Sequence, residues 1–177
     1  EPFEPICITN ALSAKDVVVS GLEDTVTYTG EEITQPYLTL WGIGGMIDAS
    51  QYKVTYSKNI NAGTASVTIT ANSDSMYSGK VTLNYKIAPA ELSDILQVGT
   101  LSSKNYDGKA QTYTKKELET AFTELTTGKM IPSGSYKIAY SNNVNAGTAT
   151  MILTGSKNYT GTARGAFTIN KKAIGVV

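Results

Sequence analysis

The sequence predicts an all-β chain of two tandem antiparallel β-sandwich modules, and three observations carry that expectation. One stretch occurs twice: residues 52–70 read YKVTYSKNINAGTASVTIT and residues 136–154 read YKIAYSNNVNAGTATMILT, with 11 of 19 positions identical. Apolar residues recur with a period of two through this stretch and beyond it, the pattern of strands with one buried face. Turn-forming Gly, Asn and Ser separate the runs at the short intervals of an all-β domain.

The repeat extends outside the doubled stretch. Tyr28-Thr29-Gly30 corresponds to Tyr106-Asp107-Gly108, Met46-Ile47 to Met130-Ile131, and Tyr77-Ser78-Gly79 to Tyr159-Thr160-Gly161. The second copy gains six residues before the hairpin and loses two after it. A chain of 177 residues with 41% hydrophobic content can bury a core, but a repeat of about 80 residues implies two small domains, each of a size that folds alone. Residues 1–10 read as the end strand of a preceding module or an N-terminal strand, 11–89 as module 1, 90–172 as module 2, and 173–177 as the start of a following segment. The junctions, Ala88-Pro89-Ala90 and Asn170-Lys171-Lys172, carry no Gly/Ser-rich spacer, which limits relative rotation.

Within module 1 the expected strands fall at 17–19, 25–29, 37–40, 52–57, 65–70 and 81–87. The loop 58–63 carries Asn59, Asn61 and Gly63, residues that tolerate positive φ and close a hairpin; 142–147 repeats that chemistry. One segment departs from the strand pattern. Leu118, Ala121, Phe122 and Leu125 lie at i, i+3, i+4 and i+7, one face of a short helix over 115–127 with Gly128 placed to end it. Module 1 carries Trp41 and three glycines in the corresponding region. A β-grasp-like module, with that helix over the sheet, is the alternative fold.

Composition narrows function. Net charge is zero, with 15 basic and 15 acidic residues, so nothing draws the chain to nucleic-acid phosphates or anionic lipid. The longest apolar runs are far short of the ~20 residues that span a bilayer. There is no His, and Cys7 is the single cysteine, so the usual proton shuttle and the commonest metal ligands are missing. The acidic residues, among them the matched pair Asp16 and Asp94, fall in expected loops. No catalytic, cofactor-binding or metal-ligating residues are expected, and no enzymatic activity. A Lys–Asn isopeptide bond would draw on Lys53, Lys137, Asn59, Asn61, Asn143 and Asn145, yet the lysines sit on the Thr/Ser face. A calcium site at Asn72 and Asp74 would lose its carboxylate in module 2.

The remaining candidates are aromatic. The four Tyr-x-Gly sites, at Tyr28, Tyr77, Tyr106 and Tyr159, are explained by a turn glycine beside a ring packed at the sandwich end. Tyr37 and Trp41 belong to module 1 alone and are the ligand-binding candidates, as a platform on which a glycan stacks. The competing expectation is core packing, because Trp is mostly buried.

Tyr-[Thr/Asp]-Gly, Tyr-Lys-[Val/Ile]-x-Tyr-Ser-x-Asn-x-Asn-Ala-Gly-Thr-Ala, Asn158-Tyr159-Thr160-Gly161-Thr162 and Phe167-Thr168-Ile169 together resemble the tandem immunoglobulin-like (Ig-like, Big-type) repeats of large surface proteins in Gram-positive gut bacteria. The resemblance covers both modules nearly end to end. It implies two Ig-like domains in an extracellular, cell-surface protein and a role in display or adhesion. The expected function is a non-catalytic spacer that presents neighbouring domains of the same polypeptide. The alternative is an adhesin or carbohydrate-binding module, with a glycan or a host or cell-wall protein as partner.

Overall fold

The computed structural model describes residues 10–12, 17–118, 121–124 and 128–175. The fold is all-β, in two compact units, Glu1–Ala88 and Pro89–Val177. Among the described residues, helix is confined to single turns at Ala49–Gln51, Leu92–Ile95 and Lys115–Leu118. Residues 1–9, and with them Cys7, lie outside the described residues.

Unit 1 contains β1 (Asn10–Ala11), β2 (Val18–Ser20), β3 (Thr25–Thr27), β4 (Thr39–Gly42), β5 (Gly45–Ile47), β6 (Tyr52–Ser57), β7 (Gly63–Ala71), β8 (Tyr77–Ser78) and β9 (Lys80–Ala88). They form a four-stranded sheet in the order β3-β9-β7-β6, a three-stranded sheet β2-β4-β5, and the pair β1-β8. The alternation read from the sequence sets the faces. In β7, Ala65, Val67 and Ile69 are buried, while on the opposite face Thr55, Thr68 and Thr82 stand in register, the Thr68 and Thr82 hydroxyls 2.9 Å apart. Leu40 and Ile47 from the three-stranded sheet meet Ile69 and Leu12 in one cluster; Ala65, Val67, Tyr85 and Ile87 form a second, and Val54 and Leu38 border both. The arrangement is sandwich-like, and each side chain as large as Ile69 fully withdrawn from water contributes roughly 2 kcal/mol.

Unit 2 contains β10 (Ala90–Glu91), α1 (Leu92–Ile95), β11 (Leu96–Val98), β12 (Lys104–Asn105), α2 (Lys115–Leu118), β13 (Phe122–Glu124), β14 (Tyr136–Ser141), β15 (Gly147–Gly155), β16 (Tyr159–Thr160) and β17 (Thr162–Asn170), with the two-stranded pairs β11-β13 and β10-β16. Its four-stranded sheet runs β12-β17-β15-β14. Strands β14 and β15 show the same residue-by-residue burial as β6 and β7. In its core Phe167 takes Tyr113 and Tyr140 edge-on, at 5.0 and 6.3 Å between ring centres.

Two features differ from the sequence expectation. The hairpins are antiparallel, but β3 runs parallel to β9 and β12 to β17, and the short pairs β1-β8 and β10-β16 are parallel as well. A period of two tells which face a strand presents and is blind to its neighbour's direction. The helix expected over 115–127 is only the single turn α2. Thr114 and Glu117 form a capping box there: the Thr114 amide donates to Glu117 Oε2 at 2.7 Å, and the Glu117 amide donates to Thr114 Oγ1 at 3.4 Å. Beyond it Phe122–Glu124 pairs with Leu96–Val98. Leu118, Ala121 and Phe122 are buried as the helical face required, but a short isolated helix is marginal, whereas the strand gains backbone partners and sets Phe122 edge-on to Tyr136 at 5.5 Å. Leu125 lies outside the described residues.

At the junction β9 ends at Ala88 and β10 begins at Ala90, leaving Pro89 as the one residue between strands. The Ala88 carbonyl accepts from the Tyr28 amide and the Ala90 amide donates to the Asn158 carbonyl, each at 2.9 Å and each within its own unit.

Candidate functional site

The doubled hairpin is a fastening. In unit 1 the Asn59 side chain, 8% exposed, donates through Nδ2 to the Ile33 carbonyl at 3.1 Å, and the Ile33 amide donates back to the Asn59 carbonyl at 2.8 Å. Tyr56, three residues earlier, accepts the Gln35 amide at its hydroxyl, 3.0 Å away. Unit 2 repeats the clasp: Asn143 Nδ2 donates to the Gln111 carbonyl at 2.8 Å, the Gln111 amide returns to the Asn143 carbonyl at 2.7 Å, and Tyr140 accepts the Tyr113 amide at 3.0 Å. These asparagines were expected to supply positive φ. That role falls instead to Lys58 and Gly63, and to Asn142 and Gly147, which frees the Asn59 and Asn143 amides to bind backbone. The turn reading of Tyr-x-Gly is matched by all four glycines, whose φ lies between +73° and +85°. Their tyrosines range from buried Tyr159 to Tyr106 at 37% exposure; they do not form a common row.

The two aromatic candidates are both on the surface. Core packing for Trp41 is overturned: the residue is 47% exposed, and Tyr37 is 74% exposed. The inward position on β4 belongs to Leu40, which is fully buried opposite Val19 and Ile47, so its neighbour faces water. Val18 stands directly opposite Trp41 on one side and Met46 on the other, and both are exposed, at 58% and 62%. Directly opposed residues share a face, so Val18, Trp41 and Met46 form one row across all three strands, about 10 Å wide at the usual strand spacing. Two residue steps along the same face, Ser20 opposes Thr39. The indole Nε1–H donates to Thr39 Oγ1 at 3.2 Å, which holds the ring and leaves the Thr39 hydroxyl proton available to a ligand. Tyr37 precedes regular β4, and its carbonyl passes within 1.9 Å of where a Gly21 Cβ would stand. It therefore sits beside the Ser20 end of the row without sharing the Trp41 strand. Strands β2, β4 and β5 carry no charged residue.

Sequence reasoning missed Val18, Met46 and Ser20, although a signal existed. In strands with one buried face, the adjacent apolar residues Val17-Val18-Val19, Leu40-Trp41 and Met46-Ile47 must each turn one member outward. The other candidates are not brought together. Lys53 and Lys137 are exposed, and with Asn59 and Asn143 bound to backbone carbonyls, no desolvated amine–amide pair forms. Asn72 Nδ2 donates to the Ser50 carbonyl at 2.7 Å as a loop staple. Among the described residues no group of three or more His, Cys, Asp or Glu could hold a metal ion. Asp94 lies in the one-turn α1 and accepts from the Ser93 hydroxyl at 3.2 Å; Asp16 lies outside the described residues. Lys104 Nζ bonds Glu117 Oε1 and lies 4.4 Å from the Tyr113 ring centre. That contact first, then the Thr114 hydrogen bonds, holds the Glu117 carboxyl at about 2 instead of 4.5. Burial pushes the Tyr85 phenol up, and its hydroxyl donates to the Ile33 carbonyl at 2.9 Å.

Fold and surface together define an all-β, sandwich-like protein in which, among the described residues, no helix is long and apolar enough to cross a membrane. Compared with protein-family models and with curated proteins, the chain matches none.

Proposed function

We propose that this chain is a non-catalytic spacer segment of a secreted or cell-surface bacterial protein, built from tandem Ig-like modules that hold other domains of the polypeptide at a set separation. The observation that carries the reading is the junction. A single proline, with its fixed φ, links two residues that are each hydrogen-bonded into their own unit, so little chain remains in which to swing. The residues common to the two copies support it further. They include turn glycines, alternating core positions and the Asn clasp, all of which stabilise a module. The resemblance to Gram-positive surface repeats supplies the setting.

Small-angle scattering tests the proposal. A spacer keeps one maximum dimension when Gly-Ser pairs are inserted elsewhere in surface loops, and becomes measurably more variable in dimension when such pairs are inserted beside Pro89. A wild-type profile already requiring a broad ensemble of separations would refute it.

A further inference from the structure

We propose that the outer face of the three-stranded sheet in unit 1 binds neutral pyranosides, with Trp41 as the stacking platform, Val18 and Met46 as its apolar flanks, and Ser20 and Thr39 as hydroxyl partners. The inference rests on this surface and stands apart from the spacer reading.

Three observations select the occupant. The first is charge: the three strands carry no ionisable residue, so the face offers nothing to an anionic or cationic ligand and suits a neutral one. The second is size. Three strands across and about two residue steps along give a patch on the order of 100–200 Å², well short of the ~800 Å² per partner that a stable dimer buries but matched to one or two sugar rings. The third is the mix of groups. A pyranose presents a C–H face that lies on an aromatic ring and a rim of hydroxyls. Here a half-exposed indole lies two residue steps along the same face from two side-chain hydroxyls, and Thr39 Oγ1 already accepts from Trp41, which leaves its own proton to donate.

The fold does not require this surface. The inward positions of this sheet are filled by Leu40 and Ile47, so the core does not call for Val18, Trp41 and Met46 on the outer face.

Trp41 is the only tryptophan, so its fluorescence reads the site directly. The full chain is titrated with lactose, cellobiose and mannobiose, with sialyllactose as the charged comparison. At least one neutral disaccharide is expected to shift the emission saturably in the millimolar range, the affinity of a single stacked ring with few hydrogen bonds. Thr39→Ala and Ser20→Ala should each weaken that response several-fold. A Val18→Gln/Trp41→Thr variant, which replaces two exposed residues, should remain folded by circular dichroism and lose at least about tenfold in binding by calorimetry or ligand-observed NMR. Flat titrations with all three neutral sugars overturn the proposal. So does a blue-shifted Trp41 emission that appears with protein concentration alone, since that assigns the face to a second copy of the chain. Neither result bears on scattering at the Pro89 junction.

Discussion

Asn59 and Tyr85 donate to one and the same carbonyl, that of Ile33, at 3.1 and 2.9 Å, so removing them singly and together should have unequal consequences. Asn59→Ala leaves the carbonyl paired with the phenol, and Tyr85→Phe leaves it paired with the amide. Each change then removes one ordinary hydrogen bond, about 1 kcal/mol. The double variant leaves the carbonyl without either side-chain donor beneath the hairpin, which adds part of the roughly 1–3 kcal/mol desolvation penalty of an unpaired polar group. The expected loss is about 3 kcal/mol, with a coupling of about 1 kcal/mol beyond the sum of the single changes.

The assay is urea unfolding followed by Trp41 fluorescence, which reports unit 1 alone because the chain has one tryptophan. At a slope of roughly 1 kcal/mol per molar urea, the midpoint should fall by about 1 M for each single variant and about 3 M for the pair. Unit 2 supplies an internal control. Phe167 opposes Ala149 as Tyr85 opposes Ala65, so that copy already lacks the phenol, and Asn143 alone of the pair donates to Gln111. Asn143→Ala should leave the Trp41 transition unmoved. Strict additivity of Asn59→Ala and Tyr85→Phe would refute the shared-acceptor argument, and an unshifted midpoint for Asn59→Ala would remove the clasp itself.

Two further outcomes follow from local geometry. Gly21→Ala places a Cβ 1.9 Å from the Tyr37 carbonyl oxygen at φ +78°, combining a left-handed backbone cost of about 1–2 kcal/mol with a backbone clash; the Trp41 midpoint should fall by at least as much as for Asn59→Ala, and an unchanged midpoint would contradict the close approach. Glu117 has its folded value depressed to about 2 from 4.5, so its contribution is present above the unfolded value and is lost as pH falls from about 5 towards 2. Thermal unfolding followed by tyrosine circular dichroism should show Glu117→Gln less sensitive than wild type across that range, and parallel pH profiles would sink the assignment.

What the sequence made legible is what depends on neighbours in the chain. The alternation in residues 52–57 and 63–71 gives the buried faces of β6 and β7, and the Tyr-x-Gly glycines mark the turns, because side-chain direction and φ are local properties. What it hid depends on partners distant in the chain. Parallel pairing of Thr25–Thr27 with β9 leaves no trace in a period-two pattern. The 118, 121, 122 spacing describes burial correctly, but Leu96–Val98 offers Phe122 a strand partner that no local pattern contains. Trp41 misled for the same reason: the average burial of tryptophan says nothing about Leu40 holding the inward position beside it.

The exposure of Trp41 also permits a magnitude for the surface row. About half of an indole's ~200 Å² lies open on Trp41, and covering ~100 Å² of apolar surface contributes roughly 2–2.5 kcal/mol. Two hydroxyl hydrogen bonds, at Ser20 and Thr39, add about 1 kcal/mol each. The total of about 4 kcal/mol corresponds to a Kd of about 1 mM, and ordering the sugar weakens it further. A proposed site of that strength would release a glycan quickly, and retention would need several such faces along one polypeptide, where effective concentration multiplies weak contacts. Under the two proposals a spacer and a weak sugar platform are complementary: the Asn clasp occurs in both units, while the exposed row is Val18, Trp41 and Met46 of unit 1.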